Sequence, residues 1–165
     1  MKVYTLGHST RNIDEFIGLL KHYGIQLVID VRRWPSSKKF PHFNKEFLDK
    51  ALERHGIQYI HYPELGGYRK EGYAVFAESD EFADALKRMI EVINDKTAAI
   101  LCAERFFWRC HRKYIANKLV ELGYTVVHII DEQQTYEHKL KEKDLQEKMN
   151  LVIWCDKKAK KIKEK

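Results

Sequence analysis

The chain predicts a single α/β domain of three layers, with helices on both faces of a mostly parallel, five-stranded sheet. Three observations predict it. Short apolar runs alternate with amphipathic stretches of helical length, and that order calls for right-handed crossovers between parallel strands. The runs Leu27–Ile29 and Ala98–Leu101 are apolar without alternation, as in interior strands covered on both faces. Four of the runs end in polar, chemically capable residues, and parallel strands bring their carboxyl ends to one edge, where α/β proteins place ligands.

The first run, Val3-Tyr4-Thr5-Leu6, leads into Gly7-His8-Ser9-Thr10-Arg11. A helix follows, with Asn12 as N-cap, Glu15 at capping-box spacing, an apolar stripe of Phe16, Leu19, Leu20 and Tyr23, and Gly24 as its stop. The second run, Leu27-Val28-Ile29, leads into Asp30-Val31-Arg32-Arg33. Asn44 caps a second helix whose inward residues are Phe47, Leu48, Ala51 and Leu52, ending at Gly56. Ile57–Ile60 is the third strand, followed by His61, Glu64, Gly66, Gly67 and Arg69. Ser79, with Asp80 and Glu81 behind it, starts a third long helix along Phe82, Leu86, Met89, Ile90 and Ile93. Ala98–Leu101 leads into Cys102-Ala103-Glu104 and then Cys110-His111-Arg112, which opens a helix to about Leu122 before Gly123. Thr125–Ile130 is the fifth strand; residues 137–150 are charged and helical in pattern, and Leu151-Val152-Ile153-Trp154 fits either an edge strand or a helix end.

With 165 residues and 44% hydrophobic content, the chain is long enough for one ordinary core, with no linker or repeat; the domain is expected over 1–156. No apolar stretch reaches the roughly 18 residues of a membrane span, and no signal-peptide pattern opens the chain. A soluble cytoplasmic protein with reduced thiols is the expectation from three cysteines. The 33% charged residues, mostly Lys and Glu, match what thermophilic sources favour.

The net charge of +6 belongs to one end. Residues 157–165 hold six Lys against one Glu, so they carry +5 and leave +1 for the rest. Such a terminus reads as a solvated, disordered tail rather than a nucleic-acid arm. Arginine is distributed differently: seven of nine (Arg11, Arg32, Arg33, Arg69, Arg105, Arg109, Arg112) follow the four apolar runs. Guanidinium binds carboxylate and phosphate bidentately, so this placement points to an anionic ligand, although some of these groups are expected to pair with Asp30, Glu64 or Glu104.

Gly7-His8-Ser9-Thr10-Arg11 is a donor-rich turn before a helix, suited to an anion. It lacks both the dinucleotide glycine fingerprint and the P-loop, so no cofactor is implied. Asp30 and Arg32 share one side of a strand end, as an ion pair or as a base tuned by its neighbour. Cys102 to Arg112 is the densest cluster, yet no Cys-x2-Cys pair marks a structural zinc, and no metal is expected. Cys102 fits either a rhodanese-like nucleophile beside Arg105 and Arg109 or simple packing. Glu104 ranks above it as a chemical group, because a buried carboxylate needs partners, here an arginine. Tyr62, Tyr68, Tyr73, Phe76, Phe106, Phe107 and Trp108 gather in the same loops, as hydrophobic cover or as stacking faces.

Gly7-His8-Ser9-Thr10, Asp30-Val31-Arg32 with Pro35-Ser36, Leu65-Gly66-Gly67, Cys102-Ala103-Glu104 and Cys110-His111-Arg112 occur in one order and spacing. Over roughly residues 3–130 this set resembles the prokaryotic family known as domain of unknown function 488. The resemblance implies a compact α/β domain with a shared polar site and supplies no reaction. The chain departs from that pattern at Phe107, where the family has proline.

The expected ligand is a phosphorylated small molecule or nucleic acid, and the expected reaction is hydrolytic or eliminative cleavage, including that of an N-glycosidic bond. Asp30 or Glu104 would activate water or stabilise positive charge on a sugar, and His8 or His111 would move protons. Ser9, Thr10, Arg11, Arg32, Gly66, Gly67, Arg109, Cys110 and Arg112 would bind the anion. The rivals are a thiol transferase using Cys102 and a binding module without chemistry.

Overall fold

The computed structural model describes residues 1–141. The apolar run Leu151–Trp154, the Lys-rich tail and the expected domain limit at residue 156 lie outside the described residues. In chain order the elements are β1 (Lys2–Gly7), α1 (Ile13–His22), β2 (Leu27–Asp30), α2 (Lys45–Arg54), β3 (Gln58–His61), α3 (Tyr73–Phe76), α4 (Asp80–Ile93), β4 (Ala98–Cys102), α5 (Arg112–Glu121), β5 (Thr125–Ile129) and β6 (Thr135–Glu137). Short 3-10 turns occupy Pro41–Phe43, Pro63–Leu65 and Phe107–Arg109. No helix among the described residues is long and apolar enough to cross a membrane.

The strands form one sheet in the order β3-β2-β4-β1-β5-β6. The first five are parallel and β6 runs antiparallel to β5. The expected five strands are therefore six. Thr-Tyr-Glu of β6 is exposed throughout and carries no apolar alternation, so it leaves no periodic signal. A turn makes the strand instead. The Asp131 carboxylate accepts the amides of Gln133 and Gln134 at 2.8 and 2.7 Å, and the His138 amide reaches Val126 O at 2.8 Å. Glu137, placed by its charge pattern at the start of a helix, ends this strand, and residues 138–141 take no helical form.

The pleat sorts side chains between two cores. Leu27, Ile29, Ala98 and Ile100 pack with α4 and α5, while Val28, Ala99 and Leu101 pack with α1 and α2. Each fully buried Leu or Ile contributes about 1.5–3 kcal/mol, more than the roughly 1 kcal/mol of a helix cap, so packing supplies stability and caps set helix starts. The α1 cap forms as its sequence requires: Asn12 Oδ1 accepts the Glu15 amide at 2.8 Å. Ser79 caps α4 through the Phe82 amide at 3.2 Å. Asn44 sits at the cap position of α2, but its Oδ1 accepts the Ser37 amide at 2.6 Å and leaves the helix uncapped by a side chain. The preceding loop wins that oxygen because it doubles back over Asn44.

Candidate functional site

The site grows from one neighbour relationship. β1 and β4 are adjacent, with Gly7 in register with Cys102, but α1 after β1 and α5 after β4 pack on opposite faces. The loops leaving these two ends part, which is where open α/β sheets bind ligands. Pairing continues past the strands: the amides of His8 and Ser9 donate to Cys102 O at 2.9 Å and Ala103 O at 3.0 Å. Gly7 is required there, because a Cβ would lie 1.8 Å from Glu104 O.

An open cleft of about 470 Å³ lies at this edge, with Cys102, Glu104, Arg109, Cys110, His111, Gly67 and Tyr73 on its walls. The two cysteines are eight positions apart in sequence, yet their Sγ atoms stand 2.9 Å apart. Cys110 Sγ lies 3.5 Å from His111 Nδ1. The connecting loop folds back because Phe107 is buried, its ring stacked 3.7 Å from that of His128. Here an aromatic anchor shapes the loop. Arg112 fastens the same loop from below, donating to the carbonyls of Glu104 and Arg105 and to Thr5 Oγ1.

The bond between the thiols makes them unequal. The hydrogen bond from Cys102 pulls Cys110 down to about 3 against the opposing effect of burial, with His111 and Arg112 assisting. The same bond, together with burial, pushes Cys102 well above its ordinary value. His111 Nε2 is buried and has no hydrogen-bond partner among the described residues. Tyr73, 5.0 Å from His111 between ring centres, has its hydroxyl pushed up by burial. Glu104 is half-buried; its Oε1 accepts the Phe106 amide at 3.3 Å. The expected arginine grip on the Glu104 carboxylate is absent among the described residues. Arg112 holds the Glu104 main-chain carbonyl instead, because it enters under the loop from the first turn of α5.

Asp30 and His8 sit at the same edge of the sheet but are not walls of the cleft. Asp30 is fully buried and held bidentately by Arg32, Nε to Oδ1 at 2.9 Å and Nη2 to Oδ2 at 2.7 Å, with the Tyr59 hydroxyl also donating. Arg32 gives a further bond to Phe43 O at 2.8 Å. His8 stacks 4.3 Å from the Phe43 ring, and burial lowers it to about 4. These residues belong to the α1–α2 side, whereas the cleft opens beside α3 and α5.

Four residues expected at an anion site meet the protein itself or open solvent. Arg11 donates to Gly7 O at 2.5 Å and to Ile130 O, and the Ser9 amide is taken by Ala103. Thr10 is exposed, and Gly66 packs against Arg33 and Pro63. Arg109 is exposed on the cleft wall, its guanidinium 5.9 Å from the Phe106 ring centre. Tyr68 and Trp34 stand at the rim 5.7 Å apart, 78% and 63% exposed, and Tyr68 adopts a left-handed φ of 59°. Trp34 escaped the sequence reading, although an aromatic directly after two arginines marked it. Thr5, His128 and His138 also escaped it: Thr5 and His128 sit inside strand runs and read as packing, and His138 lies in a segment read as a charged helix.

The fold and edge define a doubly wound α/β domain with a thiol–imidazole–carboxylate cleft where β1 and β4 part. The chain belongs to the family described as Domain of unknown function DUF488, whose model matches residues 12–119. No curated protein and no solved structure matches it.

Proposed function

We propose that this chain is an enzyme that hydrolyses a phosphate-bearing substrate, a nucleotide or single-stranded nucleic acid, in the cleft at the end of β4. The observation that supports it most is Glu104, a carboxylate on the cleft wall with no ion pair to any described residue, beside His111 and Arg109. An unpaired carboxylate is a free proton acceptor for water, or a counter-charge for a sugar turning cationic as its N-glycosidic bond breaks. The proton that Glu104 takes from water returns to the leaving group, and His111 lines the wall beside it. Arg109 offers its fork to a phosphate. Tyr68 on the cleft wall, with Trp34 5.7 Å from it, presents an exposed aromatic face of the kind a splayed base stacks on.

The test is incubation with single-stranded oligonucleotides and nucleotides, with products identified by mass spectrometry. Glu104→Gln keeps shape and is expected to lower turnover by at least about 100-fold with little change in melting temperature. Equal turnover by the variant would remove Glu104 from the chemistry, and affinity without turnover on every substrate would leave a binding module.

The 2.9 Å approach of Cys102 and Cys110 beside His111 favours a second reading, thiol transfer of the rhodanese kind. It requires inactivation by iodoacetamide with protection by substrate, and full activity in Glu104→Gln.

A further inference from the structure

We propose that Cys102, Cys110 and His111 form a site for a soft divalent metal ion, zinc by preference, with one coordination position open to the cleft. The donor atoms of these three residues all lie within 4.8 Å of one another. Two sulfurs and an imidazole nitrogen match zinc, which is borderline soft and tolerates three protein ligands with a fourth position left to water or substrate. With Zn–S near 2.3 Å and Zn–N near 2.1 Å, tetrahedral ligands stand about 3.8 Å apart for two sulfurs and about 3.6 Å apart for sulfur and nitrogen. Cys110 Sγ and His111 Nδ1 already meet that spacing at 3.5 Å. The thiols, 2.9 Å apart, need to separate by about 0.9 Å, within reach of small side-chain rotations.

The surroundings hold the donors in place. Cys102 ends β4 and Cys110–His111 opens α5, so the donors ride on two rigid elements joined by a loop that Phe107 and Arg112 anchor. Both thiols are buried, which excludes water from the sulfurs. At Gly67 a Cβ would come 3.1 Å from His111 Nδ1, so glycine keeps the coordinating nitrogen uncovered. The open side carries Glu104, two residues after Cys102, as a neighbour rather than a ligand.

This deepens the hydrolytic reading and rests on it only for the role of the water. A metal-bound water gives its proton to the Glu104 carboxylate, and the hydroxide oxygen bonds to the substrate's electrophilic atom. The bond to the leaving group breaks with its electron pair going to that group, which takes the proton back from Glu104.

The experiment titrates the reduced full-length chain with Zn²⁺ and Co²⁺. Expected are one metal per chain and, with Co²⁺, tetrahedral ligand-field bands plus a thiolate charge-transfer band whose intensity counts two sulfurs. The band disappears in the double variant Cys102→Ser/Cys110→Ser, and His111→Ala weakens binding at least about tenfold. Should the variants fail to fold, the wild-type band still counts the sulfurs. Octahedral Co²⁺ without a thiolate band, tight binding that survives the double variant, or a Cys102–Cys110 disulfide that persists under thiol reductant would each overturn the site. Metal bound as expected but no turnover on any oligonucleotide or nucleotide keeps the site and overturns the hydrolytic reading. Turnover by chelated, metal-free protein does the reverse.

Discussion

His128 Nε2 lies 2.9 Å from His138 Nδ1, and the direction of this bond is fixed from its far end. With Asn117 Oδ1 accepting from His138 Nε2 at 2.7 Å, a neutral His138 accepts at Nδ1 from His128. His128 Nδ1 then accepts from the Thr5 hydroxyl, whose oxygen in turn accepts Arg112 Nη1 at 3.2 Å. One oriented chain of bonds thus ties α5, β1 and β5 together beneath the cleft loop.

That chain makes the fold acid-sensitive. Burial, then His138 and Arg112, hold His128 far below its ordinary value, and burial lowers His8 to about 4. The unfolded histidines titrate near 6.5, so stability is full above that pH and falls as the pH drops toward the folded values. Unfolding between pH 6 and 5 is expected to take up about two protons from these groups. His128→Asn, which keeps an acceptor for Thr5, should reduce the uptake by about one. Melting curves across pH measure it, and an unchanged slope in the variant would remove His128 from the account.

Gly7→Ala should be severe and Gly18→Ala harmless. A Cβ at Gly7 meets the main chain of Glu104 at 1.8 Å, which only a shift of the strand or loop can relieve, at a cost of about 1–3 kcal/mol or more. Gly18 lies in the middle of α1 with nothing within 4 Å of a Cβ, so alanine there gains about 0.5–1 kcal/mol. Paired denaturant titrations decide both.

Asp30→Asn should act first on stability. It leaves the Arg32 cation buried without its counter-charge, a loss of about 3–5 kcal/mol. The double variant Asp30→Leu/Arg32→Met should recover much of it, because replacing a buried pair by apolar groups is near neutral. If Asp30→Asn unfolds like the parent, the pair is not structural.

Phe107→Ala should cost about 3–5 kcal/mol by removing a buried ring stacked on His128. The cleft loop loses its anchor, and alkylation of Cys102 and Cys110, followed by peptide mass mapping, should accelerate several-fold. Unchanged alkylation rates would show that Arg112 alone holds the loop.

The sequence by itself determined the parallel strands, the helices and the edge that carries the polar residues. These are local matters: apolar runs of strand length and stripes at helical spacing state which face is buried, and Asn12 and Ser79 mark helix starts by chemistry within three residues. Tertiary structure decided which side chains meet. The thiols of Cys102 and Cys110 have no metal-like spacing, and it is the burial of Phe107 against His128, some twenty positions on, together with the hold of Arg112 on the loop carbonyls, that folds their loop back. Asp30 and Glu104 look alike as strand-end acids, yet Arg32 takes the first carboxylate while Arg112 reaches only the main-chain carbonyl beside the second. β6 arose from a turn at Asp131 rather than from any pattern of its own. Periodicity reports what faces the core, whereas pairing between distant side chains depends on how loops close.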